Sequence, residues 1–298
     1  MDRLQSIRVF IAVADAGSFA GGARTMGISA PSATRGVAEL EAALGARLFA
    51  RTTRQVRLSE PGRAYLEEAR DILAQLQAAD EAASGTAARP VGILRITCPQ
   101  EFGRLHVGPL ITDFLDTYDR VGVEVIMVDR LVNLVEEGFD VAVRIGPLPS
   151  SELTAVKVGE VRWVICGSPG YLAEQGGPMA PLDLPKHRLI AAHNNAAATQ
   201  WRFGADEACI VKIQPRLIMS SVAASLDIAR NGWGLTRALS YQIVRDIEEG
   251  RLQTVLAEYE PAALPVHLVH VEGRRAAAKV RAFLDFAAPR LRQILNSR

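Results

Sequence analysis

Four residues early in the chain, Pro31, Ser32, Thr34 and Arg35, have the types and spacing to touch a nucleic acid. They lie off an apolar stripe of Ala33, Val37, Leu40 and Leu44, whose spacings of four, three and four are those of one helix face. With that stripe turned inward, two hydroxyls and a fork-shaped cation face outward on the first turns of the helix. Such groups reach base edges or phosphates in a major groove. The run from Arg47 to Leu58 then alternates well enough for a two-stranded wing, with Arg51, Thr52 and Arg54 as its candidate phosphate contacts.

Several local signals position these groups. Ser18 and Ser29 are placed to cap two short helices, each offering a side-chain oxygen to orphan backbone N–H groups of a first turn. Between those helices, Met26-Gly27-Ile28 supplies a glycine where the chain must turn sharply. Residues 1–60 hold eight arginines against five acids, whereas the whole chain of 298 residues carries a net charge of only +1. The basic excess is local, and it sits with the candidate contacts.

With 49% hydrophobic residues the chain can bury a sizeable core in each of two domains. No run of about 18 apolar residues is present to span a membrane, and no secretory pattern opens the sequence, so a cytoplasmic protein is expected. Cys98, Cys166 and Cys209 are few and far apart, and read as buried small hydrophobes or, less simply, as a redox pair. From Arg63 to Ser84 there is no proline, and Leu66, Ala69, Leu73, Leu76 and Ala83 follow a heptad broken at Asp80, which predicts a long helix. Gly85 and Pro90 end it. Beyond lie strand-like segments at 92–99, 121–129, 140–145 and 161–167, alternating with helical ones in an α/β layout.

Enzyme signatures are absent. The sequence has no G-x-S-x-G elbow, no phosphate-binding G-x-x-x-x-G-K-[ST] loop and no G-x-G-x-x-G. Histidines 106, 187, 193, 267 and 270 form no zinc-site spacing, so neither a metal nor a cofactor is expected.

Residues 1–60 resemble the winged helix-turn-helix of the LysR-type transcriptional regulators. The resemblance is carried by Gly17-Ser18-Phe19, Ser29-Ala30-Pro31-Ser32-Ala33-Thr34-Arg35, Leu40-Glu41-Ala42-Ala43-Leu44-Gly45, Leu48-Phe49-Ala50-Arg51 and Ser59-Glu60-Pro61-Gly62. Two departures stand out. Gly21-Gly22 replace good helix formers, at about 0.5–1 kcal/mol each relative to alanine, so a soft helix is expected there. Ala30 and Gly36 stand where relatives often carry glutamine, which leaves recognition to Ser32, Thr34, Arg35 and DNA shape.

Residues 91–298 resemble the effector domain of the same family, through Leu94-Arg95-Ile96-Thr97, residues 140–146, Ser168-Pro169-Gly170-Tyr171-Leu172, Trp201 and Gly232-Trp233-Gly234. The resemblance implies a DNA-binding domain over 1–60, a linker and dimerisation helix over 61–89, and a two-lobed domain like periplasmic solute-binding proteins over 90–298. One lobe would take about 91–163 and 267–298, the other about 164–266. A small-molecule effector would lie between them, touched by Thr97, Gln100, Phe102, Asp129 and Arg144 from the first lobe and by His193, Trp201, Ser220, Ser221 and Thr236 from the second. Taken singly, Arg144 reads equally as half of a structural ion pair, His193 as a satisfied polar residue and Trp201 as core. If Arg144 faces the cleft, a carboxylate is implied, so the expected effector is a small organic acid or aromatic.

The implied function is promoter binding modulated by that effector. The implied partners are double-stranded promoter DNA, a second copy of the chain in a dimer and a homotetramer of two dimers, and RNA polymerase, with no membrane. The rival reading of the same residues is a cytosolic solute-binding or enzymatic protein with an accessory N-terminal helical domain.

Overall fold

A computed structural model of the protein describes residues 1–50, 56–83, 90–149, 153–192, 199–271 and 276–296. The chain forms two compact units: Met1–Ile93 with the short segments Arg120–Gly122 and Ala277–Lys279, and the remainder.

The first unit is built on α1 (Arg3–Ala16), α2 (Phe19–Thr25) and α3 (Ala30–Leu44), followed by the strands β1 (Phe49–Ala50) and β2 (Arg57–Leu58) and by α4 (Glu60–Ala83). Its core gathers Phe10 and Val13 of α1, Ala23 of α2 and Ala33, Val37 and Leu40 of α3, with Leu48 and Phe49 from the wing's first arm. The α3 stripe is therefore buried, which fixes which face looks outward. Gly27 takes a φ of +64° in the turn between α2 and α3, a conformation open to glycine without steric penalty.

Gly21 and Gly22 have a role that helix propensity does not anticipate. A Cβ on Gly22 would lie 2.6 Å from backbone atoms of Val13, and one on Gly21 would lie 2.8 Å from Cβ of Ala16. The two glycines let α2 approach α1 at backbone distance, so close packing offsets their unfavourable propensity. On α4, Leu66 and Ala69 are buried in the same core and Leu73 packs against it. The first heptad positions are thus used within the chain.

In the second unit, two five-stranded sheets form two lobes. One sheet has the order β4-β3-β5-β14-β6, from β3 (Gly92–Cys98), β4 (Val121–Met127), β5 (Val141–Ile145), β6 (Thr154–Val161) and β14 (Leu264–His270). The other has the order β11-β8-β12-β7-β13, from β7 (Trp163–Gly167), β8 (Leu189–Ala192), β11 (Leu217–Met219), β12 (Leu235–Leu239) and β13 (Gln253–Val255). A hairpin of β9 (Gln200–Phe203) and β10 (Cys209–Lys212) stands apart from both sheets.

Helices cover the sheets. Helix α5 (Gln100–Phe102), a π turn over Gly103–Val107 and α6 (Gly108–Thr117) follow one another, and Phe114 of α6 meets Phe283 of α10 (Ala278–Asn296) edge to face at 5.4 Å. In the second lobe α7 (Pro169–Gln175), α8 (Val222–Arg230) and α9 (Val244–Glu248) surround the sheet. Strand alternation sorts its residues: Ile165 and Leu235 join one core layer with Trp201 and Phe203, while Val164, Cys166 and Ala238 join another with Leu226 and Ala229 of α8.

The chain passes between the lobes at Arg162 and again between Val255 and Leu264. Trp163 already pairs with Leu239 in the second lobe and Leu264 with Val161 in the first, so the second passage comes a few residues before the expected 267. Strand β6 has no counterpart among the strand-like segments recognised in the sequence.

Candidate nucleic-acid interface and effector cleft

In the head, the two expected caps form. Ser18 Oγ accepts from Gly21 N at 3.1 Å, and Ser29 Oγ accepts from Ser32 N at 3.3 Å while lying 2.8 Å from Ser32 Oγ. Thr34 Oγ1 donates to the Ala30 carbonyl at 3.0 Å, which leaves its lone pairs as the outward function. Pro31, Thr34 and Arg35 are exposed and Ser32 is half-buried. The Arg35 guanidinium has no hydrogen-bond or ion-pair partner among the described residues.

Gly36 requires a correction. It is buried, and a Cβ there would meet Met1 Sδ at 3.0 Å, so position 36 belongs to the inner face and offers no base-edge contact. The wing residues Arg51, Thr52 and Arg54 lie outside the described residues.

Glu41 is the head residue that sequence reasoning passed over. Its Oε1 accepts from Leu48 N at 2.7 Å and from Phe49 N at 3.2 Å, and its Oε2 pairs with Arg47 at 3.0 Å. One carboxylate at the end of α3 thereby holds the first arm of the wing. Ser59 secures the second arm, donating to the Arg47 carbonyl at 2.5 Å and accepting from Gly62 N at 2.9 Å. A Cβ on Gly62 would fall 1.9 Å from the Leu48 carbonyl oxygen, so only glycine fits there. The sequence signal was present in the Leu40-Glu41 and Ser59-Gly62 motifs, but nothing in it says that the two meet.

In the first lobe, Thr97, Asp129 and Arg144 line one cavity of about 320 Å³ at the ends of β3 and β5. Such a volume is at the lower end for small-molecule sites. Asp129 Oδ1 accepts from Gln100 N at 3.0 Å, and this contact orients the turn after β3. Arg144 is half-buried and donates to the Val132 carbonyl at 2.8 Å, with no acidic partner among the described residues. The alternative of a structural ion pair for Arg144 therefore finds no support.

Phe102 is fully buried. Its ring sits 4.9 Å from His106 and 5.2 Å from Tyr241, and His106 lies 5.4 Å from Tyr241, so three rings from two lobes close a triangle. Tyr241, unremarked in the sequence, is the second lobe's contribution at this place. Burial raises its pKa, and the nearby Asp129 and Glu101 add to that, so its hydroxyl stays protonated.

The other residues expected from the second lobe do not gather in the same way. Trp201 is a core residue, 3% exposed between the hairpin and the sheet, because β9 alternates Trp201 and Phe203 inward. Thr236 is 1% exposed and donates to the Ile190 carbonyl at 3.1 Å, so its hydroxyl is committed to the sheet. Ser221 caps α8 by accepting from Ala224 N at 3.3 Å; Ser220 is exposed beside it. His193 lies outside the described residues.

Two of the cysteines are poor nucleophiles. Burial, reinforced by Asp129, pushes the Cys98 thiol up to about 12, and burial, reinforced by Asp246, pushes that of Cys166 up to about 12. Cys209 is exposed on β10. Among the described residues no helix is long and apolar enough to cross a membrane.

Comparison with known proteins bears on both units. Residues 4–63 match the family model described as bacterial regulatory helix-turn-helix protein, lysR family, and residues 87–292 match the LysR substrate binding domain. An HTH-type transcriptional regulator of Haemophilus influenzae is 31% identical over 281 residues, 94% of this chain and 98% of its own length. Another, from Xanthomonas campestris, is 31% identical over 293 residues, 97% of this chain and 85% of its own length. Among solved structures, that of CrgA, a LysR-type transcriptional regulator from Neisseria meningitidis, is 28% identical with a TM-score of 0.63 and covers 96% of this chain and 98% of its own.

Proposed function

From the premise that the chain belongs to the LysR family of transcriptional regulators, we propose which of its residues read DNA and which ligand class controls the reading. A regulator of this family binds DNA through its helix-turn-helix and carries an effector-binding domain; its relatives are regulators and not enzymes. That sets aside the solute-binding or enzymatic alternative.

The observation that carries the residue assignment is the exposed guanidinium of Arg35 on the outward face of α3, without a partner among the described residues. Arg35 is the base reader, Ser32 and Thr34 supply short polar contacts, and Pro31 opens the helix toward the groove. Ser18 and Ser29 act through their caps, fixing the first turns of α2 and α3 where these meet the phosphates. Arg51, Thr52 and Arg54 grip the backbone. Gel shifts test this: the full chain should prefer its own upstream DNA over random duplex at moderate salt, and equal affinity for both overturns the reading.

The effector proposed is a small carboxylate, aliphatic or aromatic. Arg144 uses one donor on Val132, and a guanidinium with donors to spare in a half-buried cavity suits the two oxygens of a carboxylate. Thr97 and Asp129 line the same cavity, and Gln100 is tied to it through its N–H bond to Asp129. A thermal-shift screen of small carboxylic acids against the full chain should find stabilising members, and Arg144→Gln should abolish the shift.

The acting species is proposed to be a cytoplasmic homotetramer of two dimers, paired through the part of α4 beyond the head's core, on a pseudo-palindromic site. The domain limits proposed are 1–60, 61–89 and 90–298. RNA polymerase is the partner downstream of that geometry.

A further inference from the structure

A second cavity, of about 800 Å³, lies where β6 passes into β7 and shares no lining residue with the first. One part of its wall is aliphatic, with Val161 and Val164 from the crossing strands, Ile243, Val244 and Ile247 from the second lobe, and Leu295 from α10 of the first; polar and charged side chains make up the rest. Leu295 reaches this place because residue 159 is glycine; a Cβ there would lie 2.6 Å from Cβ of Leu295. The cavity is therefore built from both lobes.

Charge at its rim distinguishes one ligand class. Lys157 is paired with Glu160 at 2.6 Å and Arg162 with Glu260, so both cations are already committed. Glu248, exposed at the end of α9, has no ion-pair or hydrogen-bond partner among the described residues. Among the described residues, the uncommitted rim charge is negative.

We propose that this cavity is a second small-molecule site, for an apolar or aromatic amine whose body fills the aliphatic wall and whose ammonium meets Glu248. The site is separate in place from the cavity proposed for the carboxylate effector. Its occupant touches elements of both lobes at the hinge, and Tyr241, one of the lining residues, belongs also to the aromatic triangle with Phe102 and His106. An amine bound here favours the lobe arrangement in which the cavity is open, and by linkage it changes effector affinity by the same factor as the effector changes its own.

Isothermal titration of the full chain with 2-phenylethylammonium tests the proposal, with 3-phenylpropionate and 2-phenylethanol as charge-reversed and neutral matches. One saturable site per chain is expected, preferring the ammonium by about two- to fivefold, the range of a solvated ion pair. Glu248→Gln should remove that preference without changing the melting temperature, and Ala263→Phe, which fills the cavity, should abolish binding of all three. Should Ala263→Phe fail to fold, Glu248→Lys takes its place and should reverse the preference toward the propionate. No saturable ammonium binding, a preference for the carboxylate in the unaltered chain, binding indifferent to the Glu248 variants, or binding lost in Arg144→Gln each overturns the proposal, the last by placing the probe in the first cavity.

Discussion

At the scale of single residues, the head separates exposed polar groups from groups that hold it together. Arg35 is exposed and has no partner among the described residues, so Arg35→Ala should weaken specific binding by about 1–3 kcal/mol and relax selectivity at one base pair. Competition gel shifts against single-base operator variants check it; equal loss on every sequence would make Arg35 a phosphate contact. Gly22→Ala gives the opposite lesson. Propensity alone predicts a gain of about 0.5–1 kcal/mol, whereas a methyl 2.6 Å from the Val13 backbone predicts a net loss of about 1–3 kcal/mol, measurable by urea unfolding. The thiols should also divide: Cys209 reacts with a disulfide reagent in the native protein, while Cys98 and Cys166, buried and with thiols near 12, react only after denaturation. Here the sequence was legible as to residue type and incomplete as to contact. The cost at Gly21 and Gly22 could be counted from propensity; the helix lying against them could not.

Elements show the same division for a physical reason. The α3 stripe, the two serine caps and the Gly27 turn depend on local spacing, and local spacing is visible in a sequence. Strand β6, the β9–β10 hairpin and the burial of Trp201 depend on pairing between distant segments, which no local pattern encodes. Helix α4 lies between these cases. Its heptad is real, yet Leu66 and Ala69 serve the head's own core, so only later positions remain for a partner. Half-buried histidines add a pH dependence at this scale. His187, beside the Tyr171 hydroxyl at 3.3 Å, is held below its ordinary 6.5 chiefly by burial, as is His267 on β14, with Lys157 adding to the effect. A lowered histidine pKa means that the fold prefers the neutral ring. Its contribution is whole above about 6.5 and is lost as pH falls from there through the folded-state values. Melting temperature should therefore drop between about pH 7.5 and about pH 5.5, and drop less in His187→Gln/His267→Gln, as calorimetry would show.

For the whole molecule, a net charge of +1 sits beside a head with eight arginines and five acids in its first 60 residues. DNA affinity should fall steeply with salt, log K against log salt having a slope near −0.9 for each phosphate neutralised, and removing Arg54 should reduce that slope by about one unit per copy bound. The same slope with and without Arg54 would remove the wing from the phosphate count. The bond between Glu41 and the backbone of Leu48 and Phe49 has a further consequence. It welds the end of α3 to the wing's first arm, so that arm cannot shift against the helix. If positions 32, 34 and 35 are the readers proposed above, selection for a new operator would leave the carboxylate at 41 alone while it rewrites its neighbours.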